Sequence, residues 1–157
     1  MKRIPLTQGK YAIVDDADYE WLNQYKWCVT TTLYAIYAIR YVGGRKNQKC
    51  IWMHRLIMDA PKGMDVDHIN HNGLDNRRSN LRVCTRSQNN QNSYAQNNCS
   101  SKFKGVSWYR RDKIWRSYIV IKRMQLHLGY YESEYEAAKA YNKAARKYFG
   151  EFAYTNF

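Results

Sequence analysis

Apolar and polar positions alternate in short runs along most of this chain, and a helical period is sustained over several turns only near its end. Tyr11, Ala12, Ile13 and Val14 make a compact apolar run that predicts a short strand. Asp15, Asp16 and Asp18 then supply negative charge where the first turn of a helix favours it, ahead of Trp21 and Leu22. From Trp27 onward β-branched and aromatic residues dominate, and runs 34–41 and 49–53 flank Gly43-Gly44 as a hairpin with a loop of several residues. Residues 66–69 read as the end of a strand and residues 81–85 as a returning strand, with a loop opened by Asn72-Gly73 between them. Ser87 is expected to cap a following helix that carries Asn89.

Runs 103–109, 114–121 and 124–128 predict three more strands, with Arg110-Arg111-Asp112-Lys113 and Lys122-Arg123 at the turns. Ser133 and Glu136 have capping-box spacing. Behind them Ala137, Ala138, Tyr141, Ala144, Ala145 and Tyr148 recur on one helical face, and Gly150 is placed to end the helix. Small alanines would let that helix lie close against a three-stranded sheet. The expected fold class is therefore α+β. Residues 1–53 read as a small β-rich segment, 54–95 as a module dense in Asp, His, Asn and Arg, and 102–157 as strands plus one helix. Residues 87–101 carry no charge, and 96–101 have the composition of a linker.

Composition narrows the function classes. Lysine and arginine outnumber aspartate and glutamate 26 to 13, a net charge of +13 that steers the protein toward polyanions. No stretch approaches the ~18 apolar residues of a membrane span, and no signal-peptide core follows Met1-Lys2-Arg3, so a cytoplasmic protein with no membrane partner is expected. Cys28, Cys50, Cys84 and Cys99 form no C-x-x-C pair, which argues against structural zinc and for reduced thiols. Two prolines in 157 residues and no charged low-complexity tail argue against wholesale disorder.

The chemistry concentrates in residues 64–90. A carboxylate and a carboxamide oxygen are hard ligands suited to Mg²⁺. An imidazole with a reference pKa near ~6.5 can take a proton from water at neutral pH. Arginines beside them can hold phosphates, so the combination fits phosphodiester hydrolysis. Asp67-His68, Asp75-Asn76-Arg77, Asn80-Leu81-Arg82 and Thr85-Arg86-Ser87-Gln88-Asn89 together resemble the His-Asn-His (HNH) endonucleases of the phage and homing type. The resemblance implies a ββα-metal finger in which His68 is the general base, Asp67 and Asn89 hold the metal, and Asn80 braces the loop. Asn90 remains an alternative to Asn89. Because the last motif position is asparagine, the resemblance implies Mg²⁺ or Mn²⁺ rather than zinc. Arg77, Arg78 and Arg82 are expected at phosphates, His71 in a solvent-facing turn, and His54 as a structural residue or a phosphate contact.

Residues 102–123 hold eight basic side chains and one acidic one, interleaved with Trp108, Tyr109, Trp115 and Tyr118. Lys104-Gly105-Val106-Ser107-Trp108, Trp115-Arg116, Leu128-Gly129-Tyr130-Tyr131, Glu136-Ala137-Ala138, Ala140-Tyr141-Asn142 and Asn156-Phe157 resemble the APETALA/ethylene-response-factor DNA-binding domain. That resemblance implies a three-stranded antiparallel sheet, backed by one helix, that enters the major groove. Trp108, Arg110, Arg111, Trp115, Arg116, Lys122 and Arg123 are then the residues expected at DNA, with Trp115 alternatively in the core. The reading that follows is a small endonuclease acting on double-stranded DNA without an obligate protein partner, cutting both strands only if two copies act. The competing readings are a DNA-binding regulator with a vestigial nuclease site and a nuclease directed to branched DNA or RNA.

Overall fold

The computed structural model describes residues 1–32, 35–44, 46–95 and 99–157, arranged as two compact units, Met1–Asn89 and Asn90–Phe157. The architecture is α+β, with several small antiparallel sheets and short helices. In the first unit β1 (Lys2–Pro5) pairs with β2 (Tyr11–Val14), and α1 (Asp16–Leu22) follows with Asp16 and Asp18 in its first turn. Strands β3 (Cys28–Thr31), β4 (Ile36–Val42) and β5 (Lys49–Trp52) form a three-stranded sheet in that order. Tyr34, expected in the strand before Gly43-Gly44, lies outside the described residues. Met53, expected to end β5, instead starts a helix not foreseen in the sequence, α2 (Met53–Ile57). Strand β6 (Asp65–His68) pairs antiparallel with β7 (Leu81–Cys84), and α3 (Arg86–Gln91) follows, completing a strand–loop–strand–helix finger.

Residues 1–53 do not stand apart from this finger. Ile4, Leu6, Val14, Leu22, Trp27 and Met53 share one core with Val66 and Leu81. A two-stranded hairpin has too little apolar surface to be stable alone, so each hairpin completes the other's core. Ile13 joins them through the backbone: its N–H donates to Leu74 O (2.8 Å) and its carbonyl accepts from Asn76 N–H (2.7 Å). The helix cap also differs from expectation. Thr85, not Ser87, caps α3: its Oγ1 accepts from Gln88 N–H (3.2 Å), while Gln88 Oε1 accepts from Thr85 N–H (2.8 Å). This reciprocal pair is a capping box shifted two residues toward the N-terminus.

In the second unit β8 (Val106–Tyr109), β9 (Ile114–Ile121) and β10 (Met124–Tyr131) form an antiparallel sheet with β9 central, and α4 (Glu134–Phe149) covers one face. Ala137, Ala138, Tyr141, Ala144 and Ala145 are buried as the periodicity predicts, but Tyr148 is exposed. Ser133 occupies the cap position without a side-chain cap bond; the first-turn carboxylate Glu134 instead accepts from Ser101 Oγ (2.7 Å). Gly150 ends the helix at φ 56°, a left-handed conformation glycine adopts without steric cost. Asn142 and Asn156 are structural: Asn156 N–H donates to Asn142 Oδ1, and Asn156 Oδ1 accepts from Lys104 N–H, each at 2.8 Å.

The division between the units falls earlier than the expected 96–101 linker. Residues 96–98 of that linker lie outside the described residues. Ser100 and Ser101, by contrast, are hydrogen-bonded into the second unit, Ser100 Oγ accepting from Trp108 N–H (2.8 Å). Lys104 Nζ donates to the carbonyls of Asn90, Gln91 and Ser93 at 2.7–3.0 Å, which draws residues 90–93 into the second unit as well. Gly73 is held by space rather than by torsion. A Cβ there would collide with the Ile36 carbonyl oxygen and would sit 2.6 Å from the Tyr37 ring. Gly73→Ala should therefore destabilise the first unit by roughly 1–3 kcal/mol, while Gly44→Ala, whose Cβ meets nothing, should be nearly neutral. Thermal unfolding of the two variants checks this.

Candidate active site

The finger brings the Asp67-His68 pair to the end of a strand beside a loop that is closed on itself. β6 pairs Asp67 with Arg82 and His68 with Leu81, and both Asp67 and His68 are buried, at 6% and 5% exposure. Asn80 closes the loop between the strands with three hydrogen bonds. Its carbonyl accepts from Ile69 N–H (2.9 Å), its Oδ1 from Asn70 N–H (3.0 Å), and its Nδ2 donates to Asp75 O (2.8 Å). A single carboxamide thus ties the start of the loop to its far limb, where a buried amide fully used in bonds is worth most. His71, in a left-handed conformation at φ 62°, is half-buried, with its N–H on the carbonyl of His68.

His68 is surrounded by groups that orient it. Its Nε2 lies 3.5 Å from Oδ1 of Asn76, a residue with no exposure at all. Assigned this way, the carboxamide oxygen can only accept, so this contact selects the tautomer with its proton on Nε2. Burial pushes the His68 imidazole below its ordinary pKa, partly offset by Asn76 and by the charges of Asp67 and Asp75. Neutral imidazole is thereby favoured, the form a base requires. Two further rings touch it, His54 with centroids 5.0 Å apart and Tyr37 at 5.7 Å. Burial lowers His54 to about 3, with the neighbouring His68 adding to the effect.

On the other side of β6 lies a set of oxygen donors. Asp65 and Asp67, two apart on a strand, share one face. Asn89 reaches Asp65 from α3, its Nδ2 donating to Oδ2 at 3.2 Å, whereas Asn90 is exposed. Arg86 Nε also approaches that oxygen, at 3.1 Å. Two carboxylates and a carboxamide from neighbouring elements are the donor chemistry a hard divalent ion takes, so the residues fit Mg²⁺ or Mn²⁺. No cluster of three or more His, Cys, Asp or Glu side chains able to hold a metal occurs among the described residues. Asp67 meanwhile receives both Nε (2.8 Å) and Nη2 (2.6 Å) of Arg82 on its Oδ2.

The arginines expected at phosphates are held by carboxylates instead. Arg77 grips Asp75 through two bonds of 2.8 and 2.6 Å, and Arg78 grips Asp18 through two of 2.8 Å. The Arg82 side chain is only 11% exposed in its pair with Asp67. In the second unit the strand pleat separates the candidates. Trp115 packs with Val106, Ala137 and Ala138 toward α4, and Trp108 stands against it at 4.9 Å, so neither lies on the open face with Arg116. That open face holds Arg116, its guanidinium hydrogen-bonded to Ser107 Oγ and lying over Tyr109 and Tyr118. Arg110 and Arg111 are exposed at the β8–β9 turn, where Arg111 pairs with Asp112. Lys122 and Arg123 form the β9–β10 turn, both at positive φ and both exposed.

Asn76, Asp65, Tyr37 and the His54–His68 contact were not assigned to the site from sequence. Asn76 stood within the motif, between Asp75 and Arg77, and His54 within a His-Arg pair, but Tyr37 carries no local signal. The family model described as HNH endonuclease matches residues 52–91, which spans α2 and the whole finger, α3 included. An HNH endonuclease of Acanthamoeba polyphaga mimivirus is 32% identical over 151 residues, 95% of this chain and 76% of that protein. APETALA2-like protein 2 of Oryza sativa is 41% identical over 58 residues, 37% of this chain and 13% of that protein. Protein 3.8 of Escherichia phage T7 is 32% identical over 65 residues, 41% of this chain and 54% of that protein. With a relative of that name matched along 95% of this chain and the motif residues gathered on one finger, the chain belongs to the HNH endonuclease family.

Proposed function

We propose that this endonuclease hydrolyses phosphodiester bonds of duplex DNA in a divalent-metal-dependent reaction, in the manner of homing endonucleases, and that its C-terminal sheet docks the DNA. The observation that carries the reading is His68: it is buried at the end of β6, follows Asp67 in the chain, and has its Nε2 3.5 Å from Asn76 Oδ1. His68 takes a proton from the attacking water. The water oxygen bonds to phosphorus as the bond to the 3′-oxygen breaks. The product ends are a 5′-phosphate and, once the leaving oxygen is protonated, a 3′-hydroxyl. Asp67 and Asn89 would hold the divalent ion, Mg²⁺ or Mn²⁺, which when bound neutralises charge on the phosphate and leaving oxygen. Asn80 keeps the loop closed so that His68 stays aimed.

DNA docking is assigned to the open face of the β8–β10 sheet and its turns, through Arg110, Arg111, Arg116, Lys122 and Arg123. Tyr109, Tyr118, His127 and Tyr130 lie among them, with His127–Tyr130 and Tyr109–Tyr130 ring centroids at 4.6 and 5.6 Å. Guanidinium forks and ring faces are the groups that meet phosphates, sugars and base edges. One such site cuts one strand, so a monomer nicks and a double-strand break needs two copies. The Arg82–Asp67 pair is the contact that favours the alternative, a DNA-binding regulator with a vestigial site, because it places a guanidinium on a carboxylate the ion would use.

Conversion of supercoiled plasmid to relaxed or linear DNA, with and without Mg²⁺, separates the two: DNA binding with no metal-stimulated product would establish the regulator. His68→Ala should lower cleavage by ~100-fold or more while DNA affinity changes little. Asn76→Ala should cut the rate about tenfold through loss of imidazole orientation, read as kcat at saturating DNA. Log affinity should fall by about 0.9 per phosphate contact for each unit of log salt, and Arg116→Ala should reduce that slope by about 0.9 if it meets a phosphate. Filter binding across a salt series gives both slopes.

A further inference from the structure

Two aromatic rings from outside the β6–β7 hairpin meet the His68 imidazole, and a third packs against both of them. Tyr37 comes from β4, Trp52 from the end of β5, and His54 from the first turn of α2. His54 meets His68 edge to face, with ring planes 71° apart. Tyr37 touches both histidines, at 5.6 Å from His54 and 5.7 Å from His68. Trp52 closes the group at 5.7 Å from His54 and 5.5 Å from Tyr37. Gly73 lets the finger loop come down onto Ile36 and Tyr37, so strand and loop are locked at this point.

We propose that His54 is a positioning residue for the hydrolytic reaction: with Tyr37 and Trp52 it forms an aromatic seat that holds the His68 ring in one orientation. The inference rests on the reading of His68 as the base. Asn76 meets one ring nitrogen at 3.5 Å, at the long limit of a hydrogen bond. The edge-to-face ring at 5.0 Å bounds the imidazole on a second side by excluded volume. His54 is only 7% exposed, and its Nδ1 is buried with no hydrogen-bond partner among the described residues. Burying an unpaired ring nitrogen costs stability that an apolar ring at this position would not. Because burial keeps His54 neutral, its ring adds no charge against His68.

Misplacing a reacting group by about 1 Å can cost on the order of 100-fold in rate. His54→Ala should therefore lower kcat for plasmid nicking about tenfold or more, with KM, DNA affinity and Mg²⁺ binding within about twofold of wild type. His54→Phe, which restores a ring without either nitrogen, should recover most of the loss. In the metal-free protein, the His68 ring resonances in a ¹H–¹³C spectrum should shift or broaden in His54→Ala. That readout reports the seat whether or not DNA is cut. Wild-type kcat and an unmoved His68 signal in His54→Ala would overturn the proposal. So would His54→Phe as slow as His54→Ala, or kcat falling only with the folded fraction and DNA affinity. If His54→Ala does not fold, Tyr37→Leu removes another ring of the seat and must give the same signature. If His54→Ala shifts the His68 signal while His68→Ala still cuts DNA, the seat stands and the assignment of the base fails.

Discussion

The first unit depends on two backbone hydrogen bonds made by Ile13, one to Leu74 and one from Asn76. Through them a strand of the N-terminal hairpin takes up the far limb of the loop between β6 and β7, as a further edge strand would. A loop of some dozen residues would otherwise sample many conformations, since closing a loop of that length leaves its interior free. Anchored at Ile13 and tied by Asn80, it has one path, and that path buries Asn76 beneath His68. The orientation of the imidazole is thus decided by contacts remote from it in sequence.

Cations are placed differently in the finger and in the second sheet. The chain carries +13, yet in the finger the arginines Arg77, Arg78 and Arg82 are matched one to one by Asp75, Asp18 and Asp67. Burying a carboxylate is costly unless it is paired, and a planar guanidinium satisfies it with two parallel bonds. The Arg77 pair also holds the carboxyl of Asp75 below its ordinary range. Asp75 therefore supports the loop as an anion at all pH values above its lowered pKa, and that support is lost only as strong acid protonates it. These pairs help build the finger, whereas Arg110, Lys122 and Arg123 are exposed at the turns of the second sheet.

Much of the fold was legible locally. Short apolar or alternating runs located β2, β4, β6, β7 and the three strands of the second unit, and the alanine–tyrosine stripe located α4. Where local reading failed, a competing contact won. Thr85 displaced Ser87 as cap because Gln88 could answer it, and Ser133, expected to form a box with Glu136, makes no side-chain cap bond. Met53 left the strand for α2 because its side chain belongs to the shared core. Trp108 and Trp115 looked like partners of Arg116 in sequence, but adjacent residues on a strand face opposite ways, and α4 covers their side.

The amino-acid sequence by itself determined the chemistry available: an acid–imidazole pair, hard oxygen donors at set intervals, and a surplus of cations with aromatic neighbours. Spacing within 64–90 carried that information because strand, loop, strand and helix are contiguous there, so motif distance translates directly into position in space. Tertiary structure alone decided which groups would surround the imidazole. Tyr37, His54 and Asn76 reach His68 through sheet pairing, a shared core and a glycine contact, and such long-range packing leaves no periodic trace in the residues that make it.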